Sequence, residues 1–280
     1  MLSVPHLQPE SKNLSANQKG FSELNGKGVT MKHTRLDDRL VEAFSNEFLG
    51  YGRSDAPVWF VGMEEGGGGS LDELASRFSA WVELGRHPLQ DIFEYHKAVG
   101  HGVAQWFVGE RPKLQSTWTG LIRLQFGIKG KDPAFMSEFD QRELIRDYQQ
   151  NRLGRSNGDE RLMELLPLPS PSSEQWRYAA RTRLPWLANR KAYTDYQAPR
   201  REKRIFREIK KYRPKLVVFY GLGFRDSWSR IAQEEFRPTG ISDAFVAHRD
   251  GTLFAIVPHP VAHGLTRDYF FKVGKMLASA

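Results

Sequence analysis

The chain contains no cysteine among its 280 residues. This absence excludes disulfides, a thiolate nucleophile, cysteine zinc sites and iron–sulfur clusters. It fits a reducing compartment, and we expect a cytoplasmic protein. The sequence also lacks any run that approaches the roughly 18 apolar residues of a membrane-spanning helix. Residues 1–20 lack the apolar core of a secretory signal. We therefore expect a soluble protein with no membrane contact.

Positive charge exceeds negative charge, and the excess is concentrated in one segment. Lys and Arg number 41 against 33 Asp and Glu, which gives a net charge of +8. Residues 190–213 hold ten basic and three acidic residues, a net charge of +7. Such a cluster is typical of proteins that bind phosphate backbones, although a solvated helix face can carry the same charge. Arg200 and Arg201 in this segment are candidates for contact with a nucleic acid.

Apolar runs alternate with amphipathic segments after a polar N-terminal stretch. Residues 1–33 show no periodicity and are predicted to be a disordered tail, and residues 34–280 are predicted to form one domain. Helical periodicity is clearest at residues 36–48 and after Ser70, whereas residues 85–115 show no clear pattern. Strands separated by helices predict an α/β fold, a three-layer sandwich with a central, mostly parallel sheet of about four strands. The expected strands are the runs APVWFVGM, LMELLPLP and KLVVFYGLG and a hairpin-like pair around Asp250 and Gly251.

Two strand ends carry residues suited to chemistry. Glu64 and Glu65 follow the first strand and lead into four glycines at residues 66–69, and His259 follows the last strand between two prolines. Ligands of parallel α/β sheets bind outside the carboxyl ends of the strands, so these ends, together with YGLGF, are expected to converge. A carboxylate there can activate water or stabilise a developing cation, and a fixed histidine can hydrogen-bond a ligand. The glutamates could instead cap or solvate a turn.

The glycine run alone does not predict a nucleotide site. A P-loop ends in Lys followed by Ser or Thr, and only Ser70 is present here. Glu64 and Glu65 would also place negative charge beside a phosphate. A nucleotide-binding α/β enzyme is therefore the weakest of the alternatives that the sequence leaves open.

In their order and spacing, three segments resemble motifs of the uracil-DNA glycosylase superfamily. They are VWFVGMEEG, RPKLVVFYGLG and PHPVAHGL, within residues 56–278. The resemblance implies a monomeric DNA-repair enzyme without cofactor, metal or obligate protein partner, which flips uracil out of DNA. Water then hydrolyses the N-glycosidic bond and leaves an abasic site. The resemblance implies that Glu64 steadies the sugar cation or orients water, and that His259 stabilises the departing base.

The resemblance also implies roles for residues around these two. The base pocket is expected to include Gly62, Met63, Glu65, Leu166 and Ser170. A ring that stacks on the base is expected, and Trp118 and Phe78 are the two candidates, each of which could instead belong to the core. Contacts with DNA are implied for Ser172, Pro260, His263, Leu265 and Arg267, in addition to Arg200 and Arg201.

The sequence departs from the family pattern where the base is read. An Asn usually ends a middle strand in the family, but Leu166 and Pro167 stand at the expected position. Either backbone groups and a neighbour such as Ser170 or Ser172 read uracil, or the base specificity differs. The missing Asn also favours the main alternative, a nucleic-acid-binding member of the same fold without catalytic activity.

Overall fold

The apolar runs form the strands of one sheet, and the amphipathic segments form helices around it. The computed structural model describes residues 35–131, 136–172 and 174–280, so the tail predicted for residues 1–33 lies outside the described residues. The strands are β1 (Gly50–Gly52), β2 (Val58–Glu64), β3 (Leu89–Gln90), β4 (Glu160–Leu166), β5 (Leu216–Tyr220), β6 (Arg237–Pro238), β7 (Phe245–Arg249) and β8 (Thr252–Val257). The α-helices are α1 (Asp38–Glu47), α2 (Leu71–Glu83), α3 (Ile92–Val99), α4 (Ser116–Ile128), α5 (Glu138–Asn151), α6 (Arg190–Tyr212), α7 (Arg225–Ala232) and α8 (Tyr269–Ala278).

Within the described residues, the sheet has eight strands in the order β3-β1-β4-β2-β5-β8-β7-β6. The four central strands, β4, β2, β5 and β8, run parallel. Strands β1 and β7 pair antiparallel with the two outer members of this group. The α/β prediction is confirmed, but the expected sheet of about four strands is too small and describes only the parallel centre. Strands β1, β3 and β6 have two or three residues each, too few for an alternating pattern to be recognised.

Helices lie on both faces of the sheet. Successive side chains of a strand point to opposite faces, and two neighbours in β4 show which helices lie on each side. Arg161 forms an ion pair of 3.1 Å with Glu208 of α6. Glu160, the preceding residue, accepts a hydrogen bond from Tyr148 of α5. The central strands therefore lie between α6 on one side and α5 on the other.

Side-chain caps set the helix starts that the sequence predicted. The Asp37 carboxylate accepts hydrogen bonds from two backbone N–H groups of the first turn, so α1 begins two residues later than the predicted 36–48. The Ser70 hydroxyl starts α2 in the same way, as expected. The segment 85–115, which lacks a clear pattern, contains β3, α3 and a 3-10 helix at His101–Trp106. None of the helices in the described part of the chain has the length and apolar character needed to cross a membrane.

Candidate active site

The order of the central strands reverses between β2 and β5. The chain passes from β2 to its neighbour β4 on one side and then crosses to β5 on the other side. In open α/β sheets such a reversal leaves a crevice at the carboxyl ends of the strands, where ligands bind. The ends of β2 and β5 lie beside each other there, and the loop with His259 follows β8, the parallel neighbour of β5. The predicted convergence of the three strand ends is confirmed.

A small cavity lies at this crevice. Its volume is about 30 Å³. The residues that line it include Tyr51, Glu65, Trp118, Glu164, Arg201 and Tyr220. Three of these six, Glu65, Trp118 and Arg201, were predicted from the sequence as site residues.

Glu65 is held as a carboxylate by partners from three elements. It accepts hydrogen bonds from the Tyr51 hydroxyl and from Arg77 Nη1, each at 2.7 Å, and His96 Nε2 lies 3.5 Å away. Burial alone would raise the pKa of Glu65, but the Arg77 guanidinium and His96 outweigh it and hold the pKa well below its usual value. One wall of the cavity therefore carries an ionised carboxylate at neutral pH.

The glycine run lets a second carboxylate reach Arg77. Gly67 and Gly68 have positive φ angles of 119° and 70°, a region that favours glycine. The backbone N–H groups of Gly68 and Gly69 donate to Glu73 at 2.8 and 3.1 Å, and Glu73 also pairs with Arg77 Nε at 3.1 Å. The amides that a phosphate cradle would offer to its ligand are thus satisfied by Glu73. This arrangement does not favour the nucleotide-binding alternative.

Glu164 of β4 is the second carboxyl group of the cavity, and it was not predicted. Its Oε1 accepts a hydrogen bond of 2.8 Å from the Tyr220 hydroxyl, and its Oε2 is buried without a hydrogen-bond partner among the described residues. Burial is the largest cause of a raised pKa, and the nearby Glu65 and Glu64 add to it, so that the pKa of Glu164 is about 8. Glu164 therefore keeps its proton at neutral pH.

Gly62 makes room for the Tyr220–Glu164 pair. A Cβ atom at residue 62 would lie 2.3 Å from the Tyr220 hydroxyl oxygen and 2.4 Å from Glu164 Oε2. Both distances are far inside van der Waals contact, so only glycine lets the phenol and the carboxyl group approach β2 this closely. Gly62, which was predicted as a pocket residue, thus supports two cavity-lining side chains rather than lining the cavity itself.

His259 lies beside Tyr220, with its own side chain partly buried. The two ring centroids are 5.7 Å apart. The backbone N–H of Val261 donates to His259 Nδ1 at 3.4 Å, which leaves Nε2 to carry the proton of a neutral imidazole. Burial lowers the pKa of His259, so the neutral form prevails at neutral pH. The residue that was predicted to assist a leaving base therefore has an Nε2–H donor to offer.

Glu64 has a different environment from its neighbour Glu65. Its carboxylate forms an ion pair of 2.7 Å with Arg190 at the start of α6, and its side chain is 3% exposed. Burial raises the pKa of Glu64 to about 7 against the opposing effect of Arg190. Glu64 is not among the residues that line the cavity. Of the two glutamates, the structure brings Glu65 to the cavity and Glu64 to Arg190.

The two candidate stacking rings also differ in position. Trp118 of α4 lines the cavity and is held by His96, whose ring centroid is 5.4 Å away. Phe78 of α2 is 2% exposed in the core, where its ring centroid lies 5.0 Å from that of Phe44. Trp118 is therefore placed where a base could stack on it, whereas Phe78 packs within the core.

The remaining predicted pocket residues support the loops around the cavity. Leu166 is fully buried in the core, and Met63 packs against the core from a partly buried position. The single O–H of Ser170 is shared between the backbone oxygens of Ser172 and Gln175, each 2.9 Å away. The backbone N–H of Ser170 also donates to the backbone oxygen of the cavity residue that follows β2. Ser170 thus fastens this loop to the end of β2, and Ser172 is exposed on the same loop.

The residues predicted to contact DNA lie in several environments. Arg201 is 2% exposed and donates to two backbone oxygens at 3.0 and 2.8 Å, so it forms part of the cavity wall rather than of the surface. Arg200 is exposed, and its guanidinium stacks on the ring of the tyrosine four residues earlier in α6. His263 is exposed, whereas Leu265 packs partly against the core. Arg267 pairs with an acidic residue of α5 at 3.3 Å.

Four residues that shape the cavity were not predicted, namely Tyr51, Arg77, Glu164 and Tyr220. Two of them have a local signal in the sequence, since Glu164 interrupts the apolar run of β4 and Tyr220 ends that of β5. Tyr51 lies in a strand of three residues and Arg77 on a helix, where nothing in the local sequence indicates a buried polar role.

Across the described residues, no group of three or more His, Asp or Glu side chains is arranged to hold a metal ion. Comparison of the chain with models of known protein families and with curated proteins finds no match. The resemblance of the three motifs to the uracil-DNA glycosylase superfamily therefore stays a prediction.

Proposed function

We propose that the protein is a DNA-repair glycosylase that hydrolyses the N-glycosidic bond of a uracil flipped out of DNA. The observation that carries this proposal is that two carboxyl groups in contrasting environments line one cavity, Glu65 beside Arg77 and Glu164 buried beside Tyr220. Glu65 is ionised, and Glu164 keeps its proton. Environments that separate the pKa values of two carboxyl groups give the two groups different roles, here an anion and a neutral hydrogen-bond donor. Cleavage of a bond at an anomeric carbon develops positive charge on the sugar, which an anion stabilises.

In the proposed reaction, the bond between C1′ and the base nitrogen breaks and its electron pair leaves with the base. The sugar then carries an oxocarbenium charge, which the Glu65 carboxylate stabilises. The Nε2–H of His259 donates a hydrogen bond to the departing base. Water adds to C1′, and one of its protons passes to the base, so that the products are an abasic site and free uracil.

Glu164 can take the role of the base-reading Asn that the sequence lacks. A neutral carboxyl group has one O–H donor and one carbonyl acceptor, the same pair that an amide side chain presents. An imide edge such as that of uracil offers the complementary N–H and carbonyl groups. The buried Oε2 of Glu164 has no partner among the described residues, and a buried polar atom without a partner is costly. We propose that Glu164 reads the base.

The cavity has to open before a base can enter it. A volume of about 30 Å³ holds no more than about two water molecules, which is less than a pyrimidine ring needs. Trp118 is partly buried on the cavity wall, and displacement of its ring would enlarge the space and leave an aromatic face for stacking. The closed cavity is also the observation that favours the second candidate, a protein of this fold that binds nucleic acid without cleaving it.

Incubation with oligonucleotides that contain one uracil distinguishes these functions. Single strands and duplexes are incubated with the protein and then treated with hot alkali, which breaks the strand at abasic sites. We expect breaks at the uracil position and release of free uracil, and none in a matched oligonucleotide with thymine at that position. Binding without strand breaks would support the second candidate. If the protein neither binds nor cleaves these oligonucleotides, both candidate functions are overturned.

Gly120 of α4 provides a test of how His259 is positioned. A Cβ atom at residue 120 would lie 2.7 Å from Pro260 Cβ. Alanine favours a helix over glycine by about 1 kcal/mol, but its methyl group would displace Pro260 and with it His259. A misplacement of about 1 Å costs about 100-fold in rate. We expect a loss of that order for Gly120→Ala.

The measurement is single-turnover excision of uracil, together with thermal melting of the same preparation. Retention of the melting temperature alongside slow excision would show that the substitution moves the loop rather than unfolding the protein. A folded Gly120→Ala protein with wild-type rates would show that α4 does not position His259.

A further inference from the structure

A second cavity lies between α4, α5 and the loop that holds His259. Its volume is about 320 Å³, and its lining includes Ser116, Arg123, Arg142, Pro260 and Val261. Helices α4 and α5 supply the polar residues, and the loop after β8 supplies the last two. No acidic residue belongs to the lining, so both charged side chains in it are cationic.

No acidic residue of the described chain pairs directly with either arginine. Neither Arg123 nor Arg142 has a hydrogen bond or an ion pair with a described residue. Glu143, the acidic neighbour of Arg142, is instead engaged with Arg111 at 2.5 Å and Arg146 at 2.6 Å. Asp268 and Glu138 act on Arg123 only from beyond ion-pair distance, so the two guanidinium groups are available to a ligand.

A third arginine adds to this charge. Burial of Arg123, followed by repulsion from Arg267 and Arg142, lowers the pKa of its guanidinium against the opposing attraction of two nearby carboxylates. Arg267 itself forms a 3.3 Å ion pair with Glu138. An anion in the cavity would relieve this repulsion, whereas a neutral ligand would leave it in place.

A hydroxyl group of the lining also suits an anion. The hydroxyl of Ser116 is exposed at the first turn of α4 and makes no hydrogen bond with a described residue, so it is free to donate. The helix N-terminus adds a favourable dipole. Two guanidinium groups, a hydroxyl donor and the dipole together match a phosphate group better than a single carboxylate, because a phosphate has enough oxygens for all of them.

We propose that this cavity is a phosphate site that holds a backbone phosphate of the DNA strand whose base enters the cavity beside Glu65. The assignment of the phosphate to DNA rests on the proposed function. Pro260 connects the phosphate site with the cavity beside Glu65. It lines the phosphate site and directly follows His259, whose ring lies next to the cavity-lining Tyr220. A phosphate held there would fix the strand next to the groups that act on the base.

The test compares two double variants in binding to a fluorescent single-stranded oligonucleotide without uracil. Arg123→Gln/Arg142→Gln removes both cations of the site. Lys215→Gln/Arg237→Gln removes two exposed cations outside its lining and is the matched control. We expect the first variant to bind about tenfold more weakly, the effect of removing a charge-assisted hydrogen bond. We also expect the slope of its plot of log affinity against log salt to decrease by about 0.7 for each phosphate that the variant no longer binds. The control should bind within about twofold of the wild type.

Inorganic phosphate separates the two sources of the ligand. If the cavity holds a DNA phosphate, millimolar phosphate should weaken oligonucleotide binding by the wild type more than equal ionic strength of chloride, and the Arg123/Arg142 variant should lose this difference. Phosphate binding that depends on both arginines, with unchanged DNA affinity, would overturn the assignment to DNA. Equal behaviour of the two double variants would overturn the site altogether.

Failure of this proposal is distinguishable from failure of the proposed function. The oligonucleotide contains no uracil, so its binding does not depend on excision. Arginine-dependent binding by a protein that excises no base would leave the phosphate site standing and remove the glycosylase function. Uracil excision with unchanged DNA affinity in the Arg123/Arg142 variant would support the glycosylase function and remove the phosphate site. Arg123→Lys/Arg142→Lys, which keeps the charge, should recover part of the affinity and shows that the weaker binding does not come from misfolding.

Discussion

Replacement of Glu65 by glutamine is expected to lower uracil excision by about 100- to 1,000-fold, the usual effect of removing one preorganised electrostatic interaction with a transition state. Glutamine keeps the size of the side chain and removes the charge that faces the cavity. Glu64→Gln is the matched control, because Glu64 lies against Arg190 and not on the cavity. We expect it to retain excision within about tenfold of the wild type, a smaller effect than removal of a group that stabilises the transition state.

The comparison has to separate chemistry from folding, because Glu65 also pairs with the buried Arg77. Breaking a buried ion pair costs about 3–5 kcal/mol of stability, although Glu73 still compensates Arg77 from 3.1 Å. Glu73→Gln removes the other carboxylate of the same guanidinium without touching the cavity lining, so it should destabilise the fold and affect excision far less. Rates are measured well below the melting temperature of each variant. Normal excision by Glu65→Gln with loss in Glu64→Gln would return the anionic role to Glu64, the residue that the family resemblance indicated.

The sequence predicted the edge of the sheet where the site lies, but not which side chain points into it. Apolar runs without alternation are a strong signal for buried parallel strands, so the ends of β2, β5 and β8 were placed correctly. Glu64 and Glu65 are adjacent, and only the path of the backbone after β2 decides that Glu65 meets Arg77 while Glu64 meets Arg190. No local sequence pattern indicates which of the two glutamates faces the cavity.

The same limit applies to the charge and the aromatic residues. The surplus in residues 190–213 suggested a surface for phosphate backbones, yet Arg190 pairs with a buried glutamate and Arg201 is enclosed behind the cavity. Composition counts charges without showing where they point. Phe78 and Trp118 are equally suited to stacking by residue type, and only packing separates the core ring from the cavity ring.

Replacement of Glu164 by glutamine is expected to change how stability depends on pH. The pKa of Glu164 is raised from 4.5 to about 8 in the folded protein. Between these values the folded protein holds a proton that the unfolded chain has lost, so the free energy of unfolding of the wild type falls as pH rises through this window. Glutamine has no proton to lose and lacks this contribution. The variant should therefore gain stability relative to the wild type, by up to about 1.4 kcal/mol for each pH unit in the window.

Calorimetric melting of both proteins between about pH 5 and pH 9 measures this difference. Glu160 also has a pKa raised to about 7, and its contribution cancels because both proteins contain it. Glu64, whose pKa is raised to about 7 as well, interacts with Glu164 and cancels only in part. Parallel stability curves for the two proteins would show that Glu164 does not hold a proton in the fold.

The same variant tests whether Glu164 reads the base. Excision by the wild type should fall above about pH 8, where Glu164 loses the O–H donor that the proposal assigns to uracil. The amide of Glu164→Gln donates and accepts at every pH, so the variant should keep measurable excision and lose this alkaline decline. A shared alkaline decline would mean that another group, such as uracil itself, sets the limit. A decline confined to the wild type, together with its pH-dependent stability, would connect one buried proton to both the fold and the choice of base.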